Sequence, residues 1–219
     1  HETRYGASIS YGKRLFYIKE LTVNGGYRFE MVRLSKFDTR GSYSEEYTRQ
    51  RGTHNVSRWL AGIDYDSRDS VFEPTRGAAA GLNFELAGRA AGSDKDFWRG
   101  FFTSQYLIPL FVDSQERNWS LGFRGEISYA SAYGRGDGKG YENEVPYYER
   151  FHAGGVGSVR GYDSRGISPR DVHENAIGGE GLATASVEFF FPIWDRIIRG
   201  SMFYDIGSTW RYCDDPSYN

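Results

Sequence analysis

Residues 154–166 read GGVGSVRGYDSRG: five glycines, two arginines, and no apolar period of a helix or a strand. An arginine presents five donors in a planar fork, which matches carboxylates in paired hydrogen bonds that lysine cannot copy. Glycines at 154, 155, 157 and 161 let a chain turn sharply and approach another backbone closely. The chemistry this stretch can offer is charge pairing through Arg160; for an arbitrary loop arginine the plainer reading is a solvated loop charge. The stretch lies within a connection running from 133 to 179, and connections this long in a compact domain are usually functional or disordered.

Other reactive groups are sparse. GRGDGKG at 134–140 lacks the spacing of a phosphate-binding loop and no helix pattern follows it, so it reads as a flexible loop, its Arg135-Gly136-Asp137 included. His1, His54, His152 and His173 show no ligand spacing, and no serine sits in a nucleophile elbow. The single cysteine, Cys213, excludes an internal disulfide and a cysteine-based zinc site. Asn55-Val56-Ser57 and Asn118-Trp119-Ser120 match the glycosylation pattern by chance, because both fall on strand-like segments. No catalytic residue, metal or cofactor is expected. A formal charge of −2 provides no basic field for nucleic acid.

The elements that must position Arg160 are strands. Tyr and Phe together number 32 and glycine 28, against six prolines, a composition that favours β structure. Alternation is regular. Trp119, Leu121, Phe123, Ile127 and Tyr129 interleave with Ser120, Arg124, Glu126 and Ser128; Tyr5, Ala7, Ile9 and Tyr11 interleave with Arg4, Gly6, Ser8 and Ser10. Period two over about ten residues is a strand signal. Eight strands are predicted, at about 3–14, 20–34, 54–67, 77–90, 97–111, 118–132, 180–191 and 198–211.

Their faces suggest a membrane. Tyr5, Tyr11, Tyr65, Trp98, Trp119 and Tyr129 place aromatic rings near strand ends, as an aromatic girdle does, while the polar face mixes small residues and charges as a wet lumen does. A mean hydropathy of −0.62 does not oppose this, since a barrel hides its apolar residues at every second position. Connections alternate short (15–19, 68–76, 112–117, 192–197) and longer (35–53, 91–96, 133–179), the topology of an outer-membrane barrel. The reading is an all-β, antiparallel transmembrane β-barrel with eight strands present; a soluble sandwich or barrel is the alternative. No apolar run reaches the ~20 residues of a transmembrane helix. The chain opens HETRYGASIS, without a signal peptide or initiator Met, as a piece of something longer would.

Extended to 147–169, the opening stretch reads YYERFHAGGVGSVRGYDSRGISP. This resembles the sixth extracellular loop of the BamA-like outer-membrane assembly factors, whose superfamily marker is the Val159-Arg160-Gly161-Tyr162 core. Glu149-Arg150-Phe151, Ala153-Gly154-Gly155 and Gly166-Ile167 look like the BamA branch. AIGGEGLATASVEFFFP (176–192), GSMFYDIGSTW (200–210) and FEPTRGAAAGLNFELAG (72–88) resemble strands of the same family; the match is weak over 1–53. The resemblance implies a sixteen-stranded barrel of which residues 1–219 form a part, about strands six to thirteen, with the 133–179 loop extracellular and the periplasmic POTRA domains absent. It implies residence in the bacterial outer membrane, and insertion and folding of β-barrel clients there without ATP, metal or covalent step. The implied partners are the bilayer, unfolded client proteins and accessory assembly lipoproteins. A translocation pore of the same superfamily, or a small closed eight-stranded pore or adhesin, are the alternatives.

In that family the loop folds back into the barrel and its arginine pairs with acids on the inner wall. Alternation supplies two here. Glu188 shares a face with Thr184 and Ser186, opposite Ala183, Ala185, Val187 and Phe189. Asp205 lies opposite Met202, Tyr204 and Ile206. Glu188 and Asp205 are the expected lumen partners of Arg160, with Gly154, Gly155 and Gly157 as the loop's hinge.

Overall fold

The computed structural model describes residues 2–35, 48, 50–133, 144–171, 173–194 and 198–211. His1, the Arg135-Gly136-Asp137 tripeptide and Cys213 lie outside the described residues. Eight strands run in chain order: β1 (Glu2–Leu15), β2 (Ile18–Leu34), β3 (Gly52–Asp66), β4 (Gly77–Ala87), β5 (Phe97–Val112), β6 (Asn118–Ala132), β7 (Gly181–Trp194) and β8 (Ile198–Trp210). They form one antiparallel sheet in sequence order. Among the described residues β1 pairs only with β2 and β8 only with β7, so the sheet does not close on itself.

Strand lengths run from 11 residues in β4 to 17 in β2, enough for a tilted strand to cross a bilayer's hydrocarbon core. No helix among the described residues is long and apolar enough to cross a membrane. The alternation read from sequence sorts the two faces. Tyr5, Ile9, Trp59, Leu82, Phe102, Phe123, Val187, Tyr204 and Ile206 stand on the outer face, with Ile9 74% and Tyr204 70% exposed. An apolar face this continuous does not belong in water. The inner face carries Arg4, Arg58 and Arg99, which meet the long loop at Glu149, and Glu30 and Glu85, which pair with Arg58 on the wall itself. Arg124 and Glu126 line a recess of about 350 Å³ beside Gly157 of that loop.

The rims are built differently. At one end the joints are short, as at Phe16–Tyr17 and 113–117. Register shifts at Arg14/Leu15, Pro109/Phe111 and Pro192/Trp194 cluster there, as bulges do at barrel rims. Two boundaries differ from the sequence reading by three residues, the others by two at most. β7 continues beyond 191, because Pro192 pairs with Arg199 beside a bulge, a place where its missing N–H does no harm. β4 stops at Ala87 rather than 90: Arg89–Ala91 form a 3₁₀ turn, and the Arg89 amide donates to the Asp96 carboxylate at 2.9 Å, ending the ladder.

Two apolar clusters seat the long loop inside the sheet. Tyr148 joins Val32, Leu34, Val56, Ala87 and Phe97 from β2–β5. Phe151 and Ala153 join Ala130, Val145 and Leu182, with Phe101, Ala132 and Ile167 packed against them.

Candidate functional site

The loop's described part, 144–171 and 173–180, folds by its own backbone bonds. Phe151 exchanges a pair of 2.8 Å bonds with Gly179, and Ala153 a pair of 3.0 Å bonds with Ile167. Above these rungs the tip closes through Gly155 N–H to the Val159 carbonyl (3.1 Å) and Ser158 N–H to the Gly155 carbonyl (3.1 Å). Gly154 has φ +106°, and a Cβ there would run into the Asp163 carbonyl, so this hinge position requires glycine. Gly157 has neither a positive φ nor a neighbour that a Cβ would meet. Of the three expected hinge glycines it is the one whose backbone does not need the freedom.

This frame delivers the Val159–Tyr162 core to β7 and β8. Val159 is buried against Gly207 of β8, where an added Cβ would collide with its Cγ2. Arg160 then meets the wall with its backbone and all three guanidinium nitrogens. Its amide donates to Asp205 Oδ2 at 2.9 Å; Nε and Nη2 donate to Asp205 Oδ2 and Oδ1, both at 2.8 Å. Nη1 donates to Glu188 Oε1 at 3.1 Å and Nη2 to Ser186 Oγ at 3.0 Å. Ser186 Oγ in turn donates to Asp205 Oδ1 at 2.6 Å. The guanidinium lies 3.5 Å over the Phe203 ring, so its edge is spent on carboxylates and its face on an aromatic. The hydrogen bonds it donates to Asp205, and then to Glu188, raise Arg160 above its ordinary pKa, so it is charged at every physiological pH.

Each of the four core residues therefore has a distinct position. Val159 is packed, Arg160 is bound, and Gly161 takes φ +90° to reverse the chain. Tyr162 leaves the wall and is 58% exposed. Sequence reasoning named Glu188 and Asp205 and passed over Ser186 and Phe203. The same alternation puts Ser186 beside Glu188, and Phe203 beside Asp205, on the inner face.

A second charged centre, which the sequence reading did not anticipate, lies on β1–β5. Arg58 of β3 has a side chain with no exposure. Its Nη1 and Nη2 donate to Oε2 and Oε1 of Glu149, both at 2.9 Å, in a two-bond pair. The same nitrogens reach Glu85 Oε2 (2.9 Å) and Glu30 Oε2 (2.8 Å). Arg99 reaches Glu149 at 2.8 Å and Arg4 reaches it at 3.2 Å. Arg150, the next residue, turns back into the loop and donates to the carbonyl of Val145 at 3.0 Å.

Within the loop, His152 faces Ser168 Oγ at 3.1 Å. Burial first, then the charges of Arg165 and Arg150, hold its pKa down at about 4. A folded pKa below the ordinary 6.5 means the loop binds fewer protons than its opened form, so stability is present above pH 6.5 and lost as pH falls towards 4. Protection factors of the Ala153 and Ile167 amides should fall between pH 6.5 and 4 in the native chain, with a flatter profile in His152→Gln. Parallel profiles would assign the acid response to other groups.

The arrangement is a set of clamps between a loop and a wall. Among the described residues no three His, Cys, Asp or Glu side chains come together to hold a metal.

The Omp85 superfamily domain matches residues 1–218. The chain belongs to the Omp85 superfamily. Within it, the outer membrane protein assembly factor BamA of Neisseria meningitidis serogroup B is 32% identical over 181 residues, 77% of this chain and 21% of that protein. The BamA of Nitratidesulfovibrio vulgaris is 32% identical over 193 residues, 85% of this chain and 22% of that one. This Omp85 chain thus spans about a fifth of the length of these relatives. Among solved structures, BamA from Haemophilus ducreyi lacking POTRA domains 1–3 superposes with a TM-score of 0.72 at 23% identity, over 96% of this chain and 42% of that one. The open eight-stranded sheet is accordingly a partial Omp85 β-barrel.

Proposed function

We propose that this Omp85 chain is barrel wall and sixth loop of an outer-membrane protein assembly factor, which inserts and folds β-barrel proteins in the bacterial outer membrane. The observation that carries the proposal is the loop folded onto the inner face and held there by Arg160 on Asp205, Glu188 and Ser186. An adhesin would display such a loop outward, and a simple pore would leave the lumen clear. The bacterial relatives named above are outer membrane protein assembly factors, which supports this over a translocation pore of the same superfamily.

Assembly of this kind needs no nucleotide, metal or covalent intermediate. A client strand gains free energy by burying its apolar face in lipid and pairing its backbone, since unpaired polar groups are costly in hydrocarbon. An exposed strand edge recruits such a partner. The partners in this reading are the bilayer, unfolded barrel clients and accessory assembly lipoproteins. The test is reconstitution of the intact protein in lipid vesicles with an unfolded outer-membrane barrel as client. The expected result is faster conversion of the client to its heat-modifiable folded form than in protein-free vesicles. No acceleration, with passage of unfolded polypeptide across the vesicle instead, would replace this reading with the translocation pore.

A further inference from the structure

We propose that Glu149 is a positioning residue: its carboxylate clamps the entry limb of the loop to β1, β3 and β5, independently of the clamp that Arg160 makes on β7 and β8. Three observations carry this. First, the carboxylate is wholly buried and shared by three arginines from three strands, Arg58, Arg99 and Arg4. A buried acid held by three arginines of the wall cannot move without leaving those arginines short of a partner.

Second, the charge count closes only with Glu149 in place. Among the described residues the ion-paired cluster holds Arg4, Arg28, Arg58 and Arg99 against Glu2, Glu30, Glu85 and Glu149. Seven of these eight groups stand on strands, so the wall alone carries an excess cation, and the loop brings the missing carboxylate. Among the described residues Arg58 Nε has no hydrogen-bond partner although Arg58 is fully buried, so loss of Glu149 would leave this guanidinium with Glu30 and Glu85 alone.

Third, the clamp has an apolar seat of its own. Tyr148 packs among Val32, Val56 and Phe97, stacks on His54 at 5.7 Å, and gives its carbonyl to Arg4. The tip's seat is separate, with Val159 against Gly207. Two independently seated clamps make the loop a tie across the lumen, from β1–β5 on one side to β7–β8 on the other, and so a determinant of how far the sheet curls.

The test compares hydrogen exchange by region in the intact protein in lipid vesicles. In Glu149→Gln, the amides of Phe151 and Gly179, bonded to each other's carbonyls, should exchange about tenfold faster, while Gly155 and Ser158 at the tip stay within about twofold of the native chain. Arg160→Ala should give the reverse pattern. Glu149→Asp, which keeps the charge on a shorter stem, should recover most of the entry-limb protection. A purely steric role would be served as well by Gln as by Asp, so native protection in Glu149→Gln overturns the proposal. Equal loosening of tip and entry limb also overturns it, because the clamps would then be one unit. If Glu149→Gln does not reach the folded state, Arg4→Gln reads the same clamp from its half-exposed member; about threefold faster exchange at Phe151 supports the proposal and an unchanged rate overturns it.

Discussion

Replacing Arg160 with alanine should free the loop tip while leaving the barrel assembled. Alanine removes one backbone-anchored side chain that makes four bonds to Asp205, Glu188 and Ser186. The Asp205 side chain is 2% exposed and would lose its counter-charge, keeping the bonds from the residue-160 amide and the Ser186 hydroxyl. Breaking a buried pair typically costs about 3–5 kcal/mol. Here the Glu188 and Arg160 side chains are 21% and 19% exposed, so lumen water relieves part of the loss. About 2 kcal/mol is expected, or roughly a 30-fold rise in the open population of the tip. Cleavage by trypsin at Arg165 measures it. Arg160→Lys should recover only part: it restores the charge, but an ammonium cannot make the paired bonds to Asp205 while reaching Glu188 and lying flat on Phe203. Equal cleavage of native and alanine forms, or full recovery with lysine, would make Arg160 an ordinary lumen charge.

The largest effect should come from Arg58→Met. The substitution keeps the volume and removes the hub of the second centre. Glu149, with no exposed side-chain surface, then loses its two-bond partner, and Glu30 and Glu85 lose a cation each. The cluster goes from four arginines and four glutamates to three and four. A loss of about 3–5 kcal/mol is expected, seen as a lower denaturation temperature of the heat-modifiable band and less folded protein in the membrane. Adding Glu149→Gln restores the balance at three and three, and the double variant should regain more than half of the lost stability. Additive losses in the double variant would show that Arg58 and Glu149 do not act as a pair.

Much of the architecture follows from residue order alone. Period two along each strand fixes which side chains share a face, because successive Cβ atoms point to opposite sides of a sheet. That is why Glu188 and Asp205 were legible as lumen residues before any coordinates, and why Trp119, Phe123, Val187 and Tyr204 were legible as lipid-facing. Loop lengths gave the two rims. The Val159–Tyr162 core, in its glycine setting, singled out Arg160 among 27 Lys and Arg residues.

Tertiary structure alone decided which inward charges meet. Arg58 and Glu149 are 91 residues apart, and Arg4 and Glu149 are 145 apart. Alternation places Arg58 on the inner face but cannot choose among the acids there, since the choice depends on strand register and on the path of a loop without period. Glu126 illustrates the difference. It faces inward like Glu188, yet it accepts from Ser128 Oγ at 3.1 Å while Glu188 receives Arg160. Local alternation determines orientation because it is a property of the backbone. Pairing is set by where the glycine-hinged loop comes to rest, and that depends on Tyr148, Phe151 and Val159 finding their apolar seats on seven strands, β2 to β8, at once.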